Sequence, residues 1–297
     1  MPILSYKNAV QKRAAAEETK GEHDGPQSRC VGAPMLIGSA GPGKTSICTA
    51  DAASIEIRGR DLAGDLMGGL NFTEFFYLLV TGKQPTDKQR FFLDVLLIAI
   101  AEHGLTPTAQ AARMTLAADP NCIQGAVAAG ILGCGTVVLG TSELCGRLLV
   151  EAQRRVARGE DRDAVAEELA RAIRSRREKM PGFGHPLHHP VDPRTERVLE
   201  LADREGVSGP HIELAKSFRP AVEKAWGRPM PMNVSMPIAA VLLDLDFPAA
   251  MIKAIPILAR TAGVLGHLAE EQERPIGFLM SHHGESAIAY ERGEEAA

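Results

Sequence analysis

Apolar residues recur at helical spacing through most of the chain after residue 60. In residues 160–180 the apolar side chains of Val165, Leu169 and Ile173 stand every fourth residue among charged ones, which predicts an amphipathic helix. The same kind of spacing, interrupted by glycine and proline, predicts six more helices. They cover residues 73–81, 87–103, 196–204, 211–226, 234–245 and 248–272. The chain is therefore predicted to be all-α.

A shorter pattern precedes residue 60. Residues 45–49 and 54–58 partly alternate between apolar and polar side chains and are rich in β-branched residues, which predicts a small N-terminal β-hairpin. Residues 7–28 are polar, carry charges of both signs and show little apolar periodicity. Residues 1–29 are therefore predicted to form a flexible N-terminal arm.

The composition limits the classes of function. The 297 residues are 45% hydrophobic with a formal charge of -4, which is typical of a soluble globular protein and gives no sign of a nucleic-acid-binding surface. The five cysteines form no CxxC pair, so we interpret them as reduced thiols and expect a cytoplasmic protein. The N-terminal residues do not follow the pattern of a signal peptide.

Two segments suggest functions that the sequence disfavours. Residues 123–140 are uncharged but too rich in glycine and alanine for a strongly hydrophobic membrane span, so we expect a buried helix or a helix pair at a subunit interface. Residues 38–45 match the phosphate-binding pattern GxxxxGK[ST], which requires a following helix. Here a strand and turn follow, and Pro42 removes one amide, so we interpret the motif as a glycine-rich turn.

Residues 181–194 carry the most informative chemistry of the chain. Gly182 and Gly184 flank Phe183, so the backbone can fold tightly and approach a ligand closely. His185 follows, a residue suited to proton transfer near neutral pH, and an Asp-Pro turn leads to Arg194, whose guanidinium suits a carboxylate. The segment is either an ordinary loop or part of an active site for an acidic small molecule.

Five further polar residues lie in apolar or glycine-rich surroundings. His103 ends an apolar helix, where it is either a capping residue or a proton-transfer group. Arg260 lies among apolar residues and needs an anionic partner, either a protein carboxylate or a ligand. Asn233 and Ser235 precede an apolar helix, where an N-cap is the alternative role, and Arg274 is either a ligand-binding or an ordinary surface arginine.

With His185 and Arg194 added, the candidates include two histidines and three arginines, which suit a ligand with several carboxylates and one oxygen that exchanges a proton. No metal site is predicted, because the adjacent His188 and His189 lack a spaced carboxylate or cysteine companion.

The motifs, in order along most of the chain, resemble those of the citrate synthase superfamily. Residues 103–107 resemble its "HGLNPS" element, and residues 181–194 resemble "PGFGHRVYKxxDPR". Residues 72–86 resemble "EVAYLLLTGELPT", and residues 126–143 resemble the Gly/Ala-rich helix before "LHGGANE". Residues 258–272 resemble "ARTxGWxAHxxEQ".

The resemblance implies a citrate synthase-like fold. A large helical domain would comprise residues 30–145 and 247–297, and a smaller helical domain of residues 146–246 would be inserted into it. It also implies a homodimer in which Arg274 reaches the site of the second subunit. The charge and composition predict no nucleic acid or membrane as partner.

The resemblance also implies roles for individual residues. His103 and His185 would bind the carbonyl or hydroxyl oxygen of oxaloacetate or citrate, with Asn233 beside the substrate, and Arg194, Arg260 and Arg274 would hold its carboxylates. A coenzyme A thioester would be the substrate, with no tightly bound cofactor. The residues next to coenzyme A would be Pro181, Gly182, Phe183, Gly184 and His189, the last of which stands where the family has lysine.

Two positions depart from the family pattern. Ser235 stands at the aspartate of "NVD", the enolisation base, and Leu139 stands at the histidine of "LHGGANE". A serine hydroxyl does not replace a carboxylate base without an activator. Shortened relatives of this kind resemble citryl-CoA lyases. In the cleavage direction His185, with His103 nearby, would take the hydroxyl proton of citryl-CoA, and water, Glu143 or His188 would protonate the enolate.

Three hypotheses follow. The leading one is a lyase that cleaves citryl-CoA, or a similar 3-hydroxy-3-carboxyacyl-CoA, into acetyl-CoA and an oxo acid. The second is a citrate synthase that uses another base. The third is a non-catalytic homologue that binds citrate or coenzyme A.

Overall fold

A small antiparallel sheet begins the part of the chain that the structure, a computed structural model, describes, which is residues 43–291. Strand β1 (Cys48–Ala50) pairs with β2 (Ile55–Ile57), which pairs with β3 (Arg60–Asp61). Asp51 Oδ1 accepts hydrogen bonds from the amides of Ala53 and Ser54, both at 2.8 Å, and so fixes the first turn. The predicted hairpin is confirmed. The two-residue third strand was not predicted, because it is too short to show a pattern.

Eleven α-helices follow the sheet within the described residues. They are α1 (Phe72–Thr81), α2 (Asp87–Ala101), α3 (Pro107–Ala118), α4 (Ile123–Leu132), α5 (Thr141–Val156), α6 (Arg162–Ser175), α7 (Pro193–Arg204), α8 (Pro210–Trp226), α9 (Ser235–Asp244), α10 (Ala254–Glu273) and α11 (Gly277–Ala287). A π-helical turn, Leu62–Leu66, precedes α1, and a 3-10 turn, Ala249–Met251, precedes α10. The all-α prediction is confirmed.

Local signals in the sequence explain several helix boundaries. Asn71 and Glu74 form a reciprocal capping box at the start of α1, and Gly82 ends that helix in the left-handed conformation. The Asp192 side chain caps the start of α7, and Pro193 occupies the first turn. This cap places Arg194 at a fixed position at the start of a helix.

The hydrophobic core surrounds α9. Every residue from Ser235 to Leu242 is buried, which explains why this helix is apolar on all sides. The same hydrophobic cluster contains side chains from α2, α5, α6 and α8. A smaller cluster joins α3, α4 and α10. Ser235 is the first residue of α9, so it lies at the N-terminal end of this central helix.

The structure corrects several predicted elements. Helices α3, α5 and α11 were not predicted, and the helix predicted for residues 160–180 ends at Ser175. The Gly/Ala-rich residues 126–143 do not form one helix, because α4 ends at Leu132 and a turn precedes α5. In that turn a Cβ atom on Gly140 would lie 2.4 Å from the Gly135 carbonyl oxygen, so glycine is required there.

Other predictions concern features that the described residues leave open. The N-terminal arm of residues 1–29 and most of the GxxxxGK[ST] motif lie outside the described residues. Downstream of that motif the chain forms β1. The division into a large domain and an inserted small domain stays a prediction.

One helical segment, Ala249–Glu273, is long and apolar enough to cross a membrane by length and composition alone. It buries Arg260 and Glu271 in the protein interior, where α10 contributes to both hydrophobic clusters. These contacts are typical of a core helix in a helical bundle.

Candidate active site

A cavity of about 570 Å³ opens at the N-terminal end of α9. The walls are formed by residues from the α2–α3 connection, the turn before α5, the loop before α7, and helices α7, α9 and α10. Seven of the residues predicted to be catalytic or to bind substrate or coenzyme A line this cavity: His103, Gly184, His185, Arg194, Asn233, Ser235 and Arg260. The fold therefore brings together polar residues from distant parts of the sequence.

The loop that carries His185 is tied to the segment before α9. The Gly184 amide donates to the Pro231 carbonyl oxygen at 2.8 Å, and the Asn233 amide donates to the Gly182 carbonyl oxygen at 2.8 Å. Asn233 Nδ2 also donates to the Gly184 carbonyl oxygen at 2.9 Å, and its Oδ1 accepts from the Ser235 amide at 3.1 Å. Asn233 therefore holds the loop in place in addition to lining the cavity.

Hydrogen bonds fix the tautomer of His185. Its Nδ1 accepts from the amides of Leu187 and His188, at 3.1 and 3.0 Å, so in the neutral ring the hydrogen is on Nε2. Burial lowers the pKa of His185, and His188, Arg194 and His103 lower it further, against the opposing effect of Asp192. His185 is therefore a neutral hydrogen-bond donor near pH 7.

Three histidine rings form a cluster that the sequence did not reveal. His103 Nε2 lies 3.0 Å from His188 Nε2, and the His185 ring stacks on the His188 ring at a centroid distance of 4.3 Å. Ring nitrogens from all three lie within 4.8 Å of one another, which is close enough to hold a metal ion. His185 is a poor third ligand, because its Nδ1 accepts two amides and its Nε2 carries the hydrogen.

Asp192 orients Arg194 and was missed as a functional residue. Asp192 is fully buried, and its two oxygens accept from Nε and Nη2 of Arg194 at 3.0 and 2.8 Å. Burial by itself would raise the pKa of Asp192, but the hydrogen bonds and charge of Arg194 lower it. The Asp-Pro-Arg sequence was the available signal, because an N-cap aspartate lies close to the second residue of its helix.

Arg194 and His185 aim donors at the same part of the cavity. Arg194 Nη2 lies 3.4 Å from His185 Nε2. Both atoms carry hydrogen, so neither accepts from the other, and together they suit an oxygen atom of a ligand. Arg194 keeps Nη1 for the same ligand, since Asp192 uses Nε and Nη2.

Arg260 is a buried cation with incomplete hydrogen bonding. The residue is 3% exposed, its Nη1 donates to Thr106 Oγ1 at 3.0 Å, and its Nη2 donates to the Ile100 carbonyl oxygen at 3.3 Å. Its Nε is buried without a hydrogen-bond partner, and it forms no salt bridge within residues 43–291. Burial lowers the pKa of the guanidinium, although arginine stays protonated in proteins. An anion bound in the cavity would compensate this charge.

A hydrogen-bonded chain behind the cavity holds the segment that carries His103. Glu102 Oε1 accepts from the amides of His103 and Gly104, at 2.8 and 2.6 Å, and lies 3.0 Å from His267 Nε2. His267 Nδ1 faces Arg113 Nη1 at 3.2 Å. Since arginine only donates, His267 must donate from Nε2 to Glu102. Burial would raise the pKa of Glu102, but these hydrogen bonds lower it.

The two positions that depart from the family pattern both line the cavity. Ser235 is buried at the start of α9, and within the described chain no side chain hydrogen-bonds to its Oγ. Leu139 is buried and adds an apolar side chain to the wall. Glu143 does not line the cavity, and its Oε1 accepts from Arg147 at 2.5 Å. Glu143 is therefore engaged away from the site.

The other predicted site residues lie apart from the cavity surface. Arg274 is exposed at the end of α10, and its carbonyl oxygen accepts from Arg113 Nη2 at 3.3 Å. Gly182 and Phe183 are buried, Pro181 is half-buried, and His189 is exposed. Only Gly184, of the five residues predicted to contact coenzyme A, lines the cavity.

Comparison with known protein families identifies most of this helical region. Residues 89–277 match the family described as "Citrate synthase, C-terminal domain". The chain is 27% identical over 210 residues to a citrate/2-methylcitrate synthase of Bacillus subtilis (strain 168), covering 68% of this chain and 53% of that relative. It is 28% identical over 196 residues to putative citrate synthase 2 of Mycobacterium tuberculosis (strain ATCC 25618 / H37Rv), covering 64% and 49%. The chain spans about half the length of these curated relatives.

Solved structures share the fold. Citryl-CoA lyase from Hydrogenobacter thermophilus matches with a TM-score of 0.74 at 26% identity, covering 86% of this chain and 96% of that chain. ATP citrate lyase from Methanothrix soehngenii, in complex with citrate and coenzyme A, matches with a TM-score of 0.68 at 18% identity, covering 98% and 49%. The second likeness concerns the fold alone.

Proposed function

This chain belongs to the citrate synthase family, and within that family we propose that it is a carbon–carbon lyase. Its substrate is citryl-CoA, or a similar 3-hydroxy-3-carboxyacyl-CoA, and its products are acetyl-CoA and oxaloacetate or the corresponding oxo acid. One observation carries the proposal. The cavity keeps Arg194, Arg260, His103 and His185 at one ligand site, while Ser235 and Leu139 occupy positions where the family pattern has aspartate and histidine.

The first part of the proposal is recognition of a carboxylated substrate. Arg260 is buried without an anionic partner in the described chain, and Arg194 retains donors that Asp192 does not use. Two guanidinium groups at one cavity suit two carboxylates of a citryl group, because arginine matches carboxylate geometry with paired hydrogen bonds. The thioester arm then extends from the cavity past Gly184, with His189 on the outside of the same loop.

The second part is cleavage of the carbon–carbon bond. The tertiary hydroxyl gives its proton to a base, its oxygen becomes the carbonyl of oxaloacetate, and the electron pair of the broken bond forms the thioester enolate. A proton then adds to the enolate carbon to give the methyl group of acetyl-CoA. His185 serves as the donor that stabilises the developing oxyanion, because its Nε2 carries the hydrogen. The role of base therefore falls to His103.

The absence of a carboxylate at residue 235 removes the group that forms the acetyl-CoA enolate in the family pattern. Condensation requires removal of a proton from the weakly acidic methyl group of acetyl-CoA, and Ser235 has no activating partner among the described residues. Cleavage instead begins at the hydroxyl, and the enolate that forms when the carbon–carbon bond breaks is then protonated to acetyl-CoA. The similarity to the citryl-CoA lyase from Hydrogenobacter thermophilus over 96% of that chain supports the lyase assignment.

A citrate synthase is the second candidate, because the curated relatives carry that name. A panel of thioesters separates the two. We expect citryl-CoA to give oxaloacetate with wild-type protein, and we expect no free thiol from acetyl-CoA plus oxaloacetate. Free thiol in the second reaction would favour the synthase. Binding of citrate or coenzyme A without turnover of any thioester would favour a non-catalytic homologue. Arg176→Gln, at an exposed ion pair with Glu178, is the matched control.

We further propose that the protein works as a cytoplasmic homodimer. Arg274 is exposed in this chain and lies outside the cavity, which suits the family arrangement in which this arginine serves the neighbouring subunit. Helices α4 and α11 leave large apolar side chains exposed, with Leu132 at 86% and Phe278 at 72%. A second copy of the chain would cover this apolar surface.

A further inference from the structure

We propose that His188 is a positioning residue that shares a proton with His103, and that the two rings together form the base for the substrate hydroxyl. This inference rests on the lyase function proposed above and assigns its missing acid–base group. His188 is half-buried, does not line the cavity and meets His103 Nε2 with its own Nε2 at 3.0 Å. It therefore acts on the substrate through His103.

The geometry requires one hydrogen between the two rings. At 3.0 Å one Nε2 donates and the other accepts, since two bare or two protonated nitrogens would repel each other. The Nδ1 atoms of both rings have no hydrogen-bond partner within residues 43–291. With the hydrogen on His103 Nε2, His103 can accept a proton from the cavity at Nδ1 and pass its Nε2 proton to His188.

The arrangement explains why the loop needs a second histidine. His185 cannot accept at Nε2, because its Nδ1 is occupied by the amides of Leu187 and His188. The His188 amide donates a hydrogen bond to His185 Nδ1 and so fixes His185 as a donor at Nε2, while the His188 ring contacts His103. One residue therefore positions the rings of both His185 and His103. The His103 and His185 ring centroids are 5.3 Å apart, which lets one substrate oxygen lie between a donor and an acceptor.

The proton balance of the cleavage is complete with this pair. The O–H bond breaks and its proton goes to His103, the C–C bond breaks with its electrons passing to the enolate, and the carbonyl forms. The protonated pair is then the nearest acid to the enolate carbon, because that carbon and the hydroxyl oxygen were bonded to the same atom. Return of the proton gives acetyl-CoA and restores the pair, and no oxidant or co-reactant is consumed.

Charged groups lie close to the pair. Arg194 and Arg260 line the same cavity as His103, and Glu102 accepts a hydrogen bond from the His103 amide. His188 provides the acceptor that stabilises a protonated His103.

The test compares His188→Gln with wild type on citryl-CoA. Glutamine can keep a hydrogen bond to His103 but cannot carry the proton, so we expect kcat to fall about 100-fold and KM to change less than threefold. His188→Ala should lose a similar factor and regain part of it in added imidazole. Arg176→Gln, at an exposed ion pair with Glu178, is the control and should match wild type. Wild-type kcat in His188→Gln would overturn the inference and leave the lyase function intact.

A second measurement does not depend on turnover. Nitrogen-15 NMR of histidine-labelled wild-type protein should show hydrogen on one Nε2 of the His103–His188 pair and on Nε2 of His185. Hydrogen on both Nε2 atoms of the pair, or sub-micromolar Zn²⁺ binding that requires His185, would overturn the inference even if citryl-CoA were not cleaved.

Discussion

Arg260 shows how a single buried residue can point to a ligand. A guanidinium that is 3% exposed, with Nε unpartnered, is costly unless an anion approaches it. Two partners for Arg260 were open from the sequence alone, a protein carboxylate in a structural ion pair or a ligand carboxylate. In the described chain its partners are a threonine hydroxyl and a backbone carbonyl, so the ligand alternative remains.

Arg260→Gln should weaken citrate or oxaloacetate binding at least about 30-fold, about 2 kcal/mol, because a charge-assisted hydrogen-bond donor is lost. Titration calorimetry measures the affinity. The free energy of unfolding without ligand should stay within about 1 kcal/mol of wild type, since removing an unpaired buried charge offsets the lost hydrogen bonds. Wild-type affinity with strongly reduced stability would instead indicate a purely structural arginine.

Asp192→Asn should destabilise the protein by about 2 kcal/mol at pH 7, because Arg194 loses its carboxylate partner. The pKa of Asp192 is lowered in the folded protein, so its contribution is fully present above the unfolded value of about 3.9. It is lost as pH falls further, through the folded pKa. Denaturant unfolding from pH 3 to 7 should show the two proteins converging at the acid end, and a pH-independent difference would contradict this account.

At the scale of elements, the sequence predicts helices whose apolar stripe has large side chains and misses those without one. In α6 the stripe of Val165, Leu169 and Ile173 is plain. In α3 the buried face consists mainly of Thr108, Ala109, Ala112, Arg113 and Leu116, so small and charged side chains hide the period. The buried arginine of α3 is satisfied by Glu270 and Glu271 of α10, which a sequence alone does not pair.

The candidate site was also only partly predictable from the sequence. His103, His185, Arg194, Arg260 and Ser235 were recognisable from motifs, and the structure places all five at one cavity. The contact between His103 and His188 was not recognisable, because it joins separate segments through the fold. The tautomer of His185 was hidden as well, since it depends on two backbone amides.

The loop before α7 provides a test at this scale. A Cβ on Gly182 would lie 2.8 Å from Met236 Cβ and 2.9 Å from Cys145 Sγ, and the residue has φ +75°. Gly182→Ala should therefore cost about 3 kcal/mol in the free energy of unfolding, from overpacking and left-handed strain. Gly184 also has a positive φ, +83°, but a Cβ there would meet only Met230 Cε, at 3.6 Å. Gly184→Ala should therefore cost about 1–2 kcal/mol in the free energy of unfolding. Equal losses in denaturant titrations would show that the close packing at Gly182 is unimportant.

At the scale of the whole molecule, the exposed apolar residues of α4 and α11 bear on assembly. Sedimentation equilibrium should give twice the 31.8 kDa of the chain. Leu132→Glu should shift the equilibrium towards monomer, because a carboxylate would be buried in an apolar interface. Glu291→Gln, at an exposed position beyond α11, is a control that should leave the dimer intact. A wild-type monomer at micromolar concentration would contradict the proposed sharing of Arg274 between subunits.

The central claim is that the protein cleaves citryl-CoA. It depends on the arginines and histidines that one cavity keeps, and on Ser235 and Leu139 at positions where the family pattern has aspartate and histidine. Mass-spectrometric identification of the products formed from citryl-CoA by the wild-type protein tests it directly. The account predicts acetyl-CoA and oxaloacetate in equal amounts, at a rate far above the uncatalysed one and with no free coenzyme A. Release of free coenzyme A and citrate, or recovery of unchanged citryl-CoA, would contradict it.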